Sequence, residues 1–128
     1  MTPEQKIKRE ILLQACKEPD LAYIAEGGIT EETVDEQYNA LTEEDAHWDY
    51  ESEFRHGQVE TKMPCDWSRH YESKSVGSKL SDGTWIGWTF WYGDSMEWMS
   101  DAYELEVTET EKLVIVREFK KKLTKGEN

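Results

Sequence analysis

Ten residues, TWIGWTFWYG at positions 84–93, hold five aromatic side chains, and an extended chain displays them on both of its faces. A strand that is apolar on two sides needs two covers, and the rest of the sequence has to supply them. Ile86, Trp88, Phe90 and Tyr92 share one face, continuous and bulky, which reads as the core side. Tyr103, Leu105 and Val107, with Leu113, Ile115 and Phe119 further on, match it as the inward residues of later strands. Trp85, Gly87, Thr89 and Trp91 share the other face, shallow in the middle and bulky at the ends. Two readings stay open for it. The loop 94–102, with Trp98 and Met99, folds over the rings, or Trp85 and Trp91 form an exposed aromatic face for a partner or for a second copy in a homodimer.

Ser81-Asp82-Gly83 just before this run is a hairpin turn signal. It predicts an antiparallel partner among residues 70–76, with a further strand at 59–63. Tyr103 to Thr108 alternates apolar and polar residues, and Leu113 to Phe119 follows after a turn at 109–112. The first half has a different period. Thr2-Pro3-Glu4-Gln5 combines a capping residue, a proline suited to the first turn and a capping-box glutamine. Ile7, Ile11, Leu12 and Ala15 then recur at helical spacing until Pro19. A short helix over 20–25 stops at Gly27-Gly28. Another, capped by Thr30, buries Val34, Tyr38 and Leu41. A last helical segment, opened by Thr42 and Asp45, turns Trp48 and Phe54 inward and ends at the His56-Gly57 break. Helices first and strands afterwards predict an α+β chain, with three or four N-terminal helices packed with a C-terminal antiparallel sheet of three to five strands. The expected organisation is a single domain over 1–128, helical over residues 1–57, a β-sheet over residues 58–122, and a flexible tail at 123–128.

Fifteen aromatic residues in 128 are too many for a disordered chain. No apolar run approaches the ~20 residues of a membrane span, and the N-terminus lacks the apolar stretch of a secretory signal. Cys16 and Cys65 have no metal spacing and read as free thiols of a reducing compartment. The expectation is a soluble, cytoplasmic protein without membrane contact.

The net charge of −13 is gathered in one place. Residues 18–60 hold fourteen Asp or Glu against one basic residue, Arg55, while the remaining chain has fourteen of each sign. Such a surface repels phosphates, so duplex DNA binding is not expected, and it attracts a partner with a basic surface. Leu21 to Leu41 has the outline of a helix-turn-helix, but its second helix carries acids where a DNA reader needs basic or amide side chains. The acidic surface candidates are Glu31, Glu32, Asp35, Glu36, Glu43 and Glu44, an array able to imitate a nucleic-acid backbone and occupy a protein's DNA-binding groove.

Signatures of chemistry are sparse. No nucleophile elbow, phosphate loop or zinc-protease motif occurs. His47, Asp49 and Glu51, or His56 with His70, offer a small hydrolase or nuclease as an alternative. However, on a helix 47 and 49 point roughly 200° apart. His56, Cys65 and His70 lack paired ligand spacing for zinc. No catalytic residue, metal or cofactor is assigned. A third reading is a single-stranded nucleic-acid module that uses exposed tryptophans and the basic C-terminus.

The run Asp82-Gly-Thr-Trp-Ile-Gly-Trp-Thr-Phe-Trp-Tyr-Gly, followed by Glu97-Trp98-Met99, Asp101-Ala102-Tyr103 and Leu113-Val-Ile-Val-Arg-Glu-Phe, resembles small acidic accessory proteins of tailed phages and prophages. The resemblance covers residues ~70–120 and departs at Gly93-Asp94-Ser95-Met96, where a longer glycine-rich loop is usual. That group has no assigned activity. The resemblance implies an accessory protein that binds a host or phage protein and alters its behaviour, in the host cytoplasm if phage-encoded, and the expectation drawn beside it is a non-enzymatic role. The resemblance supplies no catalytic residues.

Overall fold

The computed structural model describes residues 1–65, 68–69, 71–92, 98–111 and 115–122, with the side chains of 109–111 and 115–116 outside that set. The expected tail 123–128, residues 94–97 of the expected covering loop 94–102 and His70 lie outside the described residues. The chain divides into two compact units, Met1–His56 and Gly57–Asn128. The helices belong to the first and the sheet to the second, an α+β arrangement. Among the described residues no helix is long and apolar enough to cross a membrane.

The first unit is built on α1 (Pro3–Ala15), which starts as its sequence dictates. The Thr2 hydroxyl accepts from the Gln5 backbone N–H, and the Gln5 side chain accepts from the Thr2 N–H, closing a capping box with Pro3 in the first turn. Ile7, Ile11, Leu12 and Ala15 form its buried stripe. The expected second helix is a single 3-10 turn, Ala22–Ala25. α2 (Val34–Glu43) starts later than expected because Thr30 to Thr33 close a turn first, with the Thr30 N–H donating to Thr33 Oγ1 and the Val34 N–H to the Thr30 carbonyl. Its buried residues are Val34, Tyr38 and Leu41, as their spacing predicts, and α2 and α3 (Trp48–Phe54) both pack on α1.

Trp48 departs from expectation. It is 46% exposed, while His47, Glu51 and Arg55, spaced four residues apart on one face of α3, are buried. Glu51 can be inside because the Tyr38 hydroxyl donates to its carboxylate at 2.7 Å, whereas the Trp48 indole N–H has a partner outside, the Asp45 carboxylate. Phe54 is half-buried.

In the second unit β1 (Val59–Glu60), β2 (Ser73–Lys79), β3 (Trp85–Trp91), β4 (Tyr103–Glu111) and β5 (Ile115–Lys121) form one antiparallel sheet in chain order. β1 is shorter than the predicted 59–63, since Lys62 adopts a φ of 61° and leaves the extended conformation. The β2–β3 turn uses the predicted residues. Asp82 accepts from both the Thr84 N–H and its hydroxyl, and the Gly83 N–H donates to the Leu80 carbonyl. β4 runs through the predicted 109–112 turn as far as Glu111, paired with Ile115.

The register corrects the expected face assignment. Trp85 pairs with Leu105 and Gly87 with Tyr103, while Val107 pairs with Phe119. Directly paired residues share a face, so Tyr103, Leu105, Val107 and Phe119 belong to the Trp85 side and not to the Trp88 side. Two paired glycines, Gly77 and Gly87, make this possible. A Cβ on Gly87 would lie 3.0 Å from the Tyr103 ring and 3.1 Å from Leu105 Cδ1; one on Gly77 would lie 3.0 Å from the same Leu105 methyl and 3.1 Å from Thr61 Cγ2. The curled sheet thus folds its own β4 side chains across the trough that the glycines leave.

Candidate functional site

The surface nominated by charge is a set of differently held carboxylates. Met1–His56 contains 15 acidic and 5 basic residues, a net of −10, so this unit carries most of the chain's −13. Glu32, Glu36 and Glu43 are exposed, and 36 and 43, seven residues apart, project from one side of α2. Glu31 and Asp35 are countered from α1 and the chain start. The terminal ammonium lies 3.5 Å from Glu31, and Lys8 Nζ 3.0 Å from Asp35, with Gln5 Nε2 donating to Asp35 at 3.2 Å. The Lys8 ammonium holds the Asp35 carboxyl below its usual range. Glu44 accepts the Tyr23 hydroxyl at 2.7 Å.

That last contact is one of four with the same chemistry. The Tyr38 hydroxyl donates to Glu51 and the Tyr50 hydroxyl to Glu18, while the Trp48 indole donates to Asp45. All four donors are neutral. Each bond fixes a carboxylate without cancelling its charge, and the phenols answer with raised pKa values. The Glu18 bond pushes Tyr50 up to about 12, the Glu44 bond raises Tyr23, and burial followed by the Glu51 bond raises Tyr38. Sequence reasoning passed over these aromatic donors. The signal was present, since within residues 18–60 a single basic residue faces fourteen acids, so carboxylates there that no cation from α1 or the chain start reaches can be ordered only by neutral donors.

Asp45 adds a backbone feature. Its φ of 55° makes it one of two non-glycine residues with positive φ among those described, a conformation that Asp tolerates better than most. It closes the α2–α3 turn and presents its carboxylate beside Glu43 and Glu44 in the chain. No basic residue occupies the last turn of α1, α2 or α3, where a cation would offset the negative helix end.

The aromatic candidates fare differently. Trp85 is 8% exposed. Phe119 meets its ring edge-on at 5.7 Å, and the Arg117 guanidinium lies over it at 5.7 Å. Between Trp85 and Trp91, Tyr103 and Leu105 fill the place of Gly87, and Asp101 receives both the backbone N–H and the hydroxyl of Thr89. Trp91 is half-buried. Of the two readings of this face, cover is the one that fits Trp85, but the cover comes from β4 and β5 side chains, with Asp101 of the 94–102 loop reaching Thr89, while Trp91 stays half-buried.

Among the described residues, those nominated for hydrolysis are not gathered, and His70 lies outside that set. Asp49 is exposed, Glu51 is taken by Tyr38, and the His47 ring is buried against Trp48, with centroids 4.2 Å apart. His47 Nδ1 has no hydrogen-bond partner. His56 Nδ1 lies 2.8 Å from the Ser52 carbonyl, and Cys65 Sγ 3.6 Å from Ser73 Oγ. Among the described residues no group of three or more His, Cys, Asp or Glu could hold a metal ion. Compared with protein-family models, with curated proteins and with solved structures, the chain matches none of them.

Proposed function

We propose that the chain is a non-enzymatic accessory protein, of the phage or prophage type its β3 region resembles, whose helical unit docks on a basic surface of a host or phage protein. The carrying observation is the way the carboxylates are held. At the surface, Glu18, Glu44 and Asp45 are fixed by two tyrosine hydroxyls and an indole, donors that bring no positive charge. Order without neutralisation lowers the side-chain entropy lost on binding and keeps the field that steers a cationic partner inward. A DNA-binding groove is the basic surface that best fits a rigid array of this kind, which makes a nucleic-acid-mimicking inhibitor the specific form of the proposal.

The test is affinity capture from bacterial lysate with the wild-type chain and with the triple variant Glu32→Lys, Glu36→Lys, Glu43→Lys, three exposed sites whose replacement leaves the buried stripe intact. The expected partner elutes with salt, is lost from the triple variant, and is displaced by duplex DNA. A partner retained equally by the triple variant overturns the proposal.

A further inference from the structure

The sheet unit has a cleft of its own, and every residue that lines it belongs to that unit. It lies where the β2–β3 ladder ends, is about 520 Å³ in volume, and is lined by Arg69, Lys74, Tyr71, Tyr92, Glu60 and Glu72 along with two serines. That volume falls in the ~300–1,000 Å³ range of small-ligand sites. The register explains the assembly. Lys74 pairs with Phe90, and the Tyr92 N–H donates to the Glu72 carbonyl at 2.8 Å, extending the ladder by one step. Lys74, Glu72 and Tyr92 therefore share the face of the sheet to which Glu60, paired with Val76, also belongs.

Each side chain type has a use. Tyr71 and Tyr92 are 47% and 43% exposed, large rings left at a cleft wall where planar heterocycles stack. The Lys74 ammonium sits 5.4 Å from the Tyr92 ring centroid and 5.8 Å from that of Phe90, which orders a flexible side chain in advance. The Tyr92 hydroxyl and Glu60 also keep it firmly protonated. Arg69 is an exposed fork suited to phosphate. The two carboxylates are hydrogen-bond acceptors for a base edge that carries N–H donors. Guanine, with adjacent N1–H and N2–H₂ groups, offers a carboxylate two donors at once.

We infer that this cleft binds a free guanine mononucleotide, with Arg69 and Lys74 on the phosphate, Tyr71 and Tyr92 on the base plane, and Glu72 or Glu60 on the base edge. Two cations are balanced by two carboxylates in the cleft, and the chain as a whole is at −13, so long-range attraction does not help. Affinity has to come from the contacts, and a polyanion is disfavoured relative to a mononucleotide.

Titration calorimetry of the full chain with GMP, guanosine, inorganic phosphate and a 5′-phosphorylated oligonucleotide tests the inference. GMP is expected to bind with a Kd of roughly 0.1–1 mM. Guanosine and phosphate alone are each expected to bind about tenfold more weakly or worse, since each omits a charge-assisted or stacking contribution. Arg69→Gln and Tyr71→Ala, both at exposed positions, should weaken GMP about tenfold without changing the far-UV spectrum. Lys74→Gln is the stronger perturbation and is read together with them in case it also loosens the strand. No GMP binding at about 5 mM, phosphate binding as tightly as GMP, indifference to Arg69→Gln and Tyr71→Ala together, or tighter binding of the oligonucleotide would each overturn the assignment. None of these outcomes bears on the acidic docking surface, which shares no residue with the cleft.

Discussion

Tyr38→Phe removes one oxygen from the interior of the helical unit and tests the principle by which its carboxylates are held. Tyr38 is 5% exposed and Glu51 7%, and their bond is 2.7 Å long. Water cannot readily replace the lost donor, so the penalty approaches that of a hydrogen bond to a charged group, about 1.5–3 kcal/mol. At about 2 kcal/mol the folding equilibrium shifts roughly 30-fold. The ring, its burial and the Lys8 contact over its face all remain, which isolates the hydroxyl. Urea unfolding followed by the helical circular-dichroism signal reads the first unit selectively, because the described helices all lie there. The midpoint should fall with the slope unchanged. Glu51→Gln and the double variant complete a cycle, with an expected coupling of at least about 1 kcal/mol. Tyr23→Phe, whose bond to Glu44 is exposed, serves as the control and should leave the midpoint in place. A Tyr38→Phe change within about 0.5 kcal/mol, or a vanishing coupling, would refute the idea that neutral donors anchor these acids.

The same unit supports two further tests. Tyr50, pushed up to about 12 by Glu18, should form phenolate well after an ordinary tyrosine in an absorbance titration. Because its folded pKa is raised, the bond's stabilisation is complete below about pH 10 and is lost as pH climbs through about 12; wild type and Tyr50→Phe should differ below that window and converge above it. Glu43→Lys places a cation in the last turn of α2, where none now stands, and should raise stability by about 0.3–1 kcal/mol in urea unfolding while weakening partner capture.

Local signals were legible in the sequence and long-range ones were not. The capping box of Thr2 and Gln5 and the Asp82–Thr84 turn are written within three residues of themselves and form as written. The burial of Val34, Tyr38 and Leu41 follows from spacing alone. The face assignment of β4 depended instead on its register against β3, and period-two alternation in Tyr103 to Thr108 is compatible with either face. What decided it was a steric match between residues far apart in sequence, Gly77 and Gly87 on one side and Leu105 and Tyr103 on the other. Trp48 misled for a related reason. Its size argues for burial, but an indole N–H needs an acceptor, and Asp45 supplied one at the surface. The acidic candidates were visible as letters, yet the distinction between Asp35, countered by Lys8, and Glu43, left exposed, depends on the packing of α1 against α2.

Within the helical unit the negative potential should peak at one end of α2. Glu43 closes the helix, Glu44 caps it, and Asp45 follows in its positive-φ turn. The unsatisfied carbonyls of the helix terminus add their own partial negative charge there. A sequence selected for stability alone would place Lys or Arg at this point, and here it places three acids, two of them tied down by Tyr23 and Trp48. The resulting repulsion is offset by the apolar stripe of Ile7, Ile11, Leu12, Val34 and Leu41, all at or below 1% exposure. A partner's guanidinium or ammonium arriving at this terminus would meet the carboxylates and the helix end together and remove the repulsion between them. The strongest contribution to docking is therefore expected from residues 43–45, with Glu36 on the same helix and Glu32 just before it setting orientation.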